Sequence, residues 1–203
     1  MKVPQTSSPD IHTVDIRNTG LLDPDAEGSA AGDAAKAGKR ERRSLYTFRK
    51  PEKEDGAAMH ELVEKTGVLD VNSAYSYLML GEYFSDTCVV AERGGRIVGF
   101  VSGFIPPERP DTVFVWQVGV ANSEKGRGLA KRLIRQLLQS EVCADVHYLE
   151  STVTPSNVPS TRLFRSIARE LHTSCVIDSG FHESLFPDKG DHESERLFRI
   201  GPF

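Results

Sequence analysis

The stretch Trp116–Leu133, "WQVGVANSEKGRGLAKRL", decides the architecture. It passes from apolar residues through a loop with Gly126 and Gly128 into a helical pattern, where Leu129, Leu133, Ile134, Leu137 and Leu138 trace one face. The segment "TVFVWQVGVA" (Thr112–Ala121) is nearly continuously apolar, which predicts a strand buried on both faces. A strand, a glycine loop and a helix in that order bring the orphan N–H groups of a first helical turn, and the positive end of its dipole, to the loop. Such a terminus is an anion site. Gly126 and Gly128 lack the Cβ atoms that would hold a phosphate off the backbone. Lys125, Arg127 and Lys131 are expected to add mobile positive charge.

Pyrophosphate is the natural guest, and the glycine spacing narrows its identity. The Walker A pattern G-x-x-x-x-G-K-[ST] does not fit "GRGLAK". The dinucleotide pattern G-x-G-x-x-G matches at Gly126 and Gly128, but Lys131 stands where its third glycine belongs. Glu150 lies about 20 residues on, as the acidic partner in that pattern does, so a dinucleotide stays open on these residues alone. A plain helix-entry turn stays open as well.

Outward from this unit the pattern alternates between helix and strand. "LYTFRKP" (Leu45–Pro51) reads as a strand. Within Glu52–Gly67, Met59, Leu62, Val63 and Thr66 recur at helical spacing, and Gly67 closes the helix. "NSAYSYLMLGEYF" (Asn72–Phe84) predicts a second helix capped by Asn72 or Ser73. "TCVVAE" and "RIVGFVSGFI" predict a hairpin turned at Gly94-Gly95. "VHYLESTVT" is a strand, and Leu163, Phe164, Ile167, Ala168 and Leu171 form the apolar stripe of a further helix. "TSCVID" and "ERLFRIG" predict closing strands. The whole is an α/β (α+β) chain: a mixed, mostly antiparallel sheet with helices on both faces.

Composition limits the function. The 203 residues suit one domain, and the net charge of −4 does not advertise nucleic acid. Residues 1–43 contain no Phe, Tyr or Trp, and their seven basic and seven acidic side chains cancel. That segment predicts a disordered tail before a domain at 44–203. Its "KRERR" run (Lys39–Arg43) reads as a solvated junction, with a nucleic-acid or nuclear-localisation patch as the alternative. Cys88, Cys143 and Cys175 show no metal spacing and point to a reducing compartment. No apolar run reaches the roughly 18 residues of a membrane span. The expectation is a cytoplasmic protein without metal, membrane or nucleic-acid partner.

The motif from "VGV" to "KRLI" resembles the acyl-CoA-binding motif of the GNAT family of N-acetyltransferases, [Q/R]-x-x-G-x-[G/A], here Lys125-Gly126-Arg127-Gly128-Leu129-Ala130. Lys125 departs from the usual Gln or Arg. The resemblance implies that the anion is the pyrophosphate of acetyl-CoA, the acetyl-donor co-substrate. It implies a strand that splays from its neighbour, so that Val118, Gly119 and Val120 pair with the pantetheine arm. It also implies that Asn157, in "TPSNVPSTRLF", reaches the same arm; a helix cap is its other reading. The tyrosine that serves many members as general acid is replaced by Phe164. Tyr75 and Tyr148 are the substitutes.

Four further segments, "GVLDVNSAYSYL", "PPERPDTVFVWQVGV", "YLESTVTPSN" and "HESERLFRIGP", resemble the branch of that family acting on L-2,4-diaminobutyrate in ectoine synthesis under osmotic stress. The resemblance spans about Leu45 to Phe203. It implies acetylation at N4 of that diamino acid, by an enzyme of a kind that often forms homodimers. One ammonium must be held charged, and Asp70, Tyr75, His192 and Glu195 are the candidate acceptors, with Trp116 as an aromatic wall. The attacking amine must lose a proton. Glu150, Glu195 and His192 are the candidate bases. The oxyanion needs a donor, for which a backbone N–H of Val118 or Gly119 suits. Acetylation of another small amine or a protein lysine, and non-catalytic binding of acyl-CoA, are the alternatives.

Overall fold

A computed structural model describes residues 46–67, 69–187 and 192–203. The expected tail, with its "KRERR" run, lies outside the described residues. The chain forms β1 (Thr47–Arg49), α1 (Gly56–Thr66), α2 (Ala74–Tyr83), β2 (Cys88–Arg93), β3 (Arg96–Phe104) and β4 (Thr112–Val120). It continues through α3 (Leu129–Leu138), β5 (Tyr148–Val153), α4 (Val158–Glu170), β6 (Cys175–Ser179) and β7 (Arg196–Ile200). The expected element order is reproduced.

The strands make one seven-stranded sheet in the order β1-β2-β3-β4-β5-β7-β6. Among the described residues only β4 and β5 pair in parallel; the other ladders are antiparallel. Gly94 and Gly95, at φ 57° and 71°, turn the β2–β3 hairpin in the left-handed conformation that a two-residue loop requires. Ser73 stands at the N-cap of α2 as expected, but its hydroxyl meets Ser76 Oγ at 3.1 Å rather than a backbone N–H.

Two cores flank the sheet. On one face Leu129, Leu133, Ile134 and Leu137 of α3 and Phe164, Ile167 and Ala168 of α4 bury Val113, Val115, Leu149, Val153, Phe198 and Ile200. On the other, Met59, Leu62 and Val63 of α1 and Tyr77 and Leu80 of α2 cover Val90 and Phe100. The helices α1, α3 and α4 therefore present the stripes that their periodicity predicts, and removal of apolar surface from water is the main force holding the layers together.

Burial of β4 on both faces is corrected at one residue. Ser102 of β3 faces Gln117 and Gly103 faces Val115, so Trp116 is the extra residue of a β-bulge. It is 47% exposed and belongs to neither core. A bulge sharpens the local twist and bends its strand, and this one lies where β4 leaves β5.

Candidate active site

The β4–β5 ladder is short. Thr112, Val113 and Phe114 pair with Tyr148, Leu149 and Glu150, after which the two strands part, β4 running on beside β3 to Val120 and β5 beside β7 to Val153. The fork leaves edge groups of both strands available to an extended ligand. Val118, Gly119 and Val120 lie on its open arm.

At the end of that arm the glycine loop turns into α3. Gly126 and Gly128 have φ of 76° and 72°, and a Cβ on either would meet no atom within 4 Å. Two left-handed residues in open space are a backbone shaped for something other than its own side chains. The first rung of α3 is Arg132 N–H to the Gly128 carbonyl at 3.2 Å. The amides of Gly128, Leu129, Ala130 and Lys131 thus lie ahead of the ladder and meet the loop. Leu129 sends its side chain into the core, so only its backbone is at the loop.

The expected mobile cations differ in their circumstances. Lys125 is exposed. Lys131 is held by Glu170 of α4 at 3.3 Å, and Arg135 shares that carboxylate; the expectation of a free Lys131 is corrected. Asn157 caps α4, its Oδ1 accepting from Ser160 N–H at 3.1 Å, which is the other reading given for it.

Of the amine-side candidates, Asp70 and His192 lie near enough to Glu195 to act on its charge. Gln117, 9% exposed, donates from Nε2 to the Asp70 carbonyl at 2.9 Å and accepts from the Tyr77 hydroxyl at 3.0 Å. This ties the loop before α2 to the cofactor strand. Asp70 is exposed, and Tyr75 and Trp116 are 68% and 47% exposed. Glu195 is half-buried, and its Oε2 has no hydrogen-bond partner among the described residues. Burial raises its carboxyl above the usual range; Asp70 and Glu193 add to this, while His192 and a hydrogen bond with Thr152 oppose it. His192 stacks on Phe186 with centroids 3.7 Å apart, and its Nδ1 donates to the Glu193 carbonyl at 2.6 Å. Glu195 also borders a cleft of about 420 Å³ with Asp178, Phe181, His182 and Arg196.

Glu150 is arranged differently. It is 1% exposed, and Arg109 Nη1 donates to both its oxygens at 2.6 Å. Arg199 Nη1 also donates to Oε1. A carboxylate held by two guanidinium groups is a structural ion cluster, which corrects the expectation of Glu150 as a base. Tyr148 lies under the Arg199 guanidinium, 3.8 Å from its ring centroid, at the paired root of the fork. Phe164 is 3% exposed and packs against Phe198. Among the described residues no group of three or more His, Cys, Asp or Glu could hold a metal ion.

Two residues in contact with the candidates escaped the sequence: Gln117 and Thr152. The detectable signal was a polar side chain within or just beyond an otherwise apolar strand, since buried polar groups keep partners.

Comparison with known proteins adds to this geometry. Residues 56–168 match the model of the acetyltransferase (GNAT) family. The chain is 54% identical over 159 residues to the L-2,4-diaminobutyric acid acetyltransferase of Halalkalibacterium halodurans, covering 78% of this chain and 83% of that one. It is likewise 54% identical over 156 residues to the enzyme of that name from Marinococcus halophilus, covering 77% and 90%. Among solved structures it superimposes on the diaminobutyrate acetyltransferase of Paenibacillus lautus in complex with its substrate L-2,4-diaminobutyric acid and coenzyme A. That match has a TM-score of 0.75 at 46% identity, over 77% of this chain and 95% of that one.

Proposed function

This chain belongs to the L-2,4-diaminobutyric acid acetyltransferases of the GNAT family, and we propose that it transfers the acetyl group of acetyl-CoA to N4 of L-2,4-diaminobutyrate, a step of ectoine synthesis under osmotic stress. One observation carries the catalytic reading: the buried Oε2 of Glu195, without a hydrogen-bond partner among the described residues, in the neighbourhood of Asp70. The fork between β4 and β5 supports the same reading from the cofactor side.

In this reading the pyrophosphate of acetyl-CoA lies on the amides of residues 126–131, with Lys125 and Arg127 beside it. The pantetheine arm extends along the unpaired edge of β4 at Val118, Gly119 and Val120, and Asn157 contacts it from the start of α4. The thioester then lies near the mouth of the fork. Asp70 and His192 orient the diamino acid, and Tyr75 and Trp116 wall its short carbon chain. Glu195 accepts the proton that N4 must lose, since an alkyl ammonium near pKa ~10.4 does not attack at neutrality. The nitrogen adds to the carbonyl carbon, and an N–H of Val118 or Gly119 donates to the oxyanion. Collapse breaks the C–S bond. The thiol's ordinary pKa of about 8.5 lets it leave as thiolate, which makes a tyrosine at Phe164 dispensable; Tyr75, one of the amine-side candidates, is the proton donor in this reading.

The same reading includes a homodimer joined along β6, an edge strand of the sheet. It includes a cytoplasmic setting, supported by the free thiols Cys88, Cys143 and Cys175. Among the described residues no helix is long and apolar enough to cross a membrane.

The test is thiol release from acetyl-CoA with L-2,4-diaminobutyrate, ornithine, lysine and a peptide lysine in parallel, with the acetyl position read by NMR. Preference for diaminobutyrate with acetylation at N4 is expected. Preference for another amine would discard the substrate and keep the transfer; coenzyme A binding without release for any amine would discard the enzyme.

A further inference from the structure

We propose that Glu124 is a positioning residue for acetyl-CoA: it holds Arg127 and the loop 121–128 in the form that receives the pyrophosphate. The inference rests on the coenzyme A reading of the loop. Its starting point is a conflict of charge. Two residues before the first glycine of a loop suited to an anion stands a carboxylate, and that carboxylate is 3% exposed. A carboxylate so far from water is retained only when it is paired.

Its partners come from three places. The Tyr46 hydroxyl donates to Oε2, Arg93 Nη1 donates to Oε1 at 2.7 Å, and Arg127 Nε approaches Oε2 at 3.7 Å. Tyr46 directly precedes β1 and Arg93 ends β2. The β4–α3 loop is therefore tied to the strands at the far side of the sheet, away from the fork. The guanidinium of Arg132, one turn into α3, lies 5.0 Å from the ring centroids of both Tyr46 and Phe48. The same aromatic pair thus touches both the loop's anchor and the helix that the loop opens.

Two consequences follow for ligand binding. With Arg93 and Arg127 at +1 each and Glu124 at −1, the cluster keeps a net charge of +1, so the buried acid does not cancel the attraction for an anion. Arg127 approaches Glu124 through Nε at 3.7 Å on a side chain that is 53% exposed, so the carboxylate draws the guanidinium from one side by charge while leaving it open to solvent. A cation held in one orientation before the ligand arrives loses less freedom on binding than a mobile one. Glu124 thus contributes to anion binding through Arg127 and through the loop backbone, without touching the ligand.

The test uses the full chain, with coenzyme A affinity from titration calorimetry and steady-state kinetics for both substrates. Glu124→Gln is expected to raise the Kd of coenzyme A and the KM of acetyl-CoA about tenfold, leaving kcat and the KM of diaminobutyrate within about twofold. Arg127→Gln, at an exposed position, is expected to weaken coenzyme A similarly. Adding Glu124→Gln to Arg127→Gln should then cost clearly less than it does in the wild-type chain, as coupled neighbours do. Unchanged coenzyme A affinity in Arg127→Gln overturns the proposal. So do fully multiplicative effects of the two substitutions, or an equal loss toward both substrates, which would mean a merely structural acid. Gly128→Val separates this from the premise. If Gly128→Val loses coenzyme A while Glu124→Gln does not, only the role of Glu124 falls; if Gly128→Val binds normally, the loop reading falls with it.

Discussion

Glu150 and Glu195 stand toward opposite ends of the β5–β7 ladder and have opposite surroundings. Glu150, paired in register with Arg199, is 1% exposed with guanidinium donors on both oxygens. Glu195, just ahead of β7, is only half-buried, yet one oxygen lacks a partner among the described residues and its carboxyl is pushed upward by desolvation. Burial alone therefore does not mark a base. What distinguishes the two is whether cations satisfy the charge that burial penalises.

The sharpest break of this comparison is Glu195→Gln. A positioned general base contributes about 10²–10⁴-fold, and kcat is expected to fall within that range while Glu150→Gln stays within about threefold of wild type. If the two exchange these outcomes, the assignment of the base is reversed. The pH profile sharpens the same point. Glu195 must be ionised to accept a proton, so kcat/KM is lost as pH falls through its raised value, above the ~4.3 of an ordinary glutamate. For stability the sign is opposite. A carboxyl raised in the folded state contributes stability that is fully present below its unfolded pKa and is lost as pH rises through the folded one. Near neutrality Glu195→Gln removes that penalty, and its Tm is expected to equal or exceed wild type.

Gly128→Val comes next, at the other region of the site. Its φ of 72° strains any side chain, and the new bulk meets the pyrophosphate, so the KM of acetyl-CoA is expected to rise by roughly tenfold or more. The KM of diaminobutyrate should move little. Smaller again is the thermal effect of Glu150→Gln. Breaking a buried pair costs about 3–5 kcal/mol, but Arg109 and Arg199 are 45% and 33% exposed. Discounted for that solvent access, the loss should be about 2 kcal/mol, or a fall in Tm of about 4–8 °C by calorimetry. Deleting residues 1–43 is expected to change turnover least; a large loss in that truncation would assign the tail a part in the reaction.

Legibility varied with the range of the interaction involved. Leu129, Leu133, Ile134 and Leu137 lie at the spacing of one buried stripe, and Gly94-Gly95 turns its hairpin, because periodicity and left-handed backbone are properties of neighbouring residues. The expected burial of β4 on both faces failed at Trp116 for a related reason: an extra residue relative to β3 makes the bulge and leaves the indole exposed, and β3 is not visible in the local pattern of β4. Lys131 likewise reads as a free cation until Glu170, far along the chain, approaches it.

From the sequence by itself followed the order of helices and strands and the glycine loop at the opening of α3, which rest on side-chain type and on spacings within one element. The amine-side candidates came instead from the resemblance of whole segments to a known family. Only the tertiary structure decided that the β4–β5 ladder ends at Phe114 and Glu150, that Glu150 is satisfied while one oxygen of Glu195 lacks a partner among the described residues, and that Glu124 is buried against Tyr46 and Arg93. The reason is physical: the proton affinity and the freedom of a charged group depend on water and on partners, and folding brings those partners from up to 78 residues away.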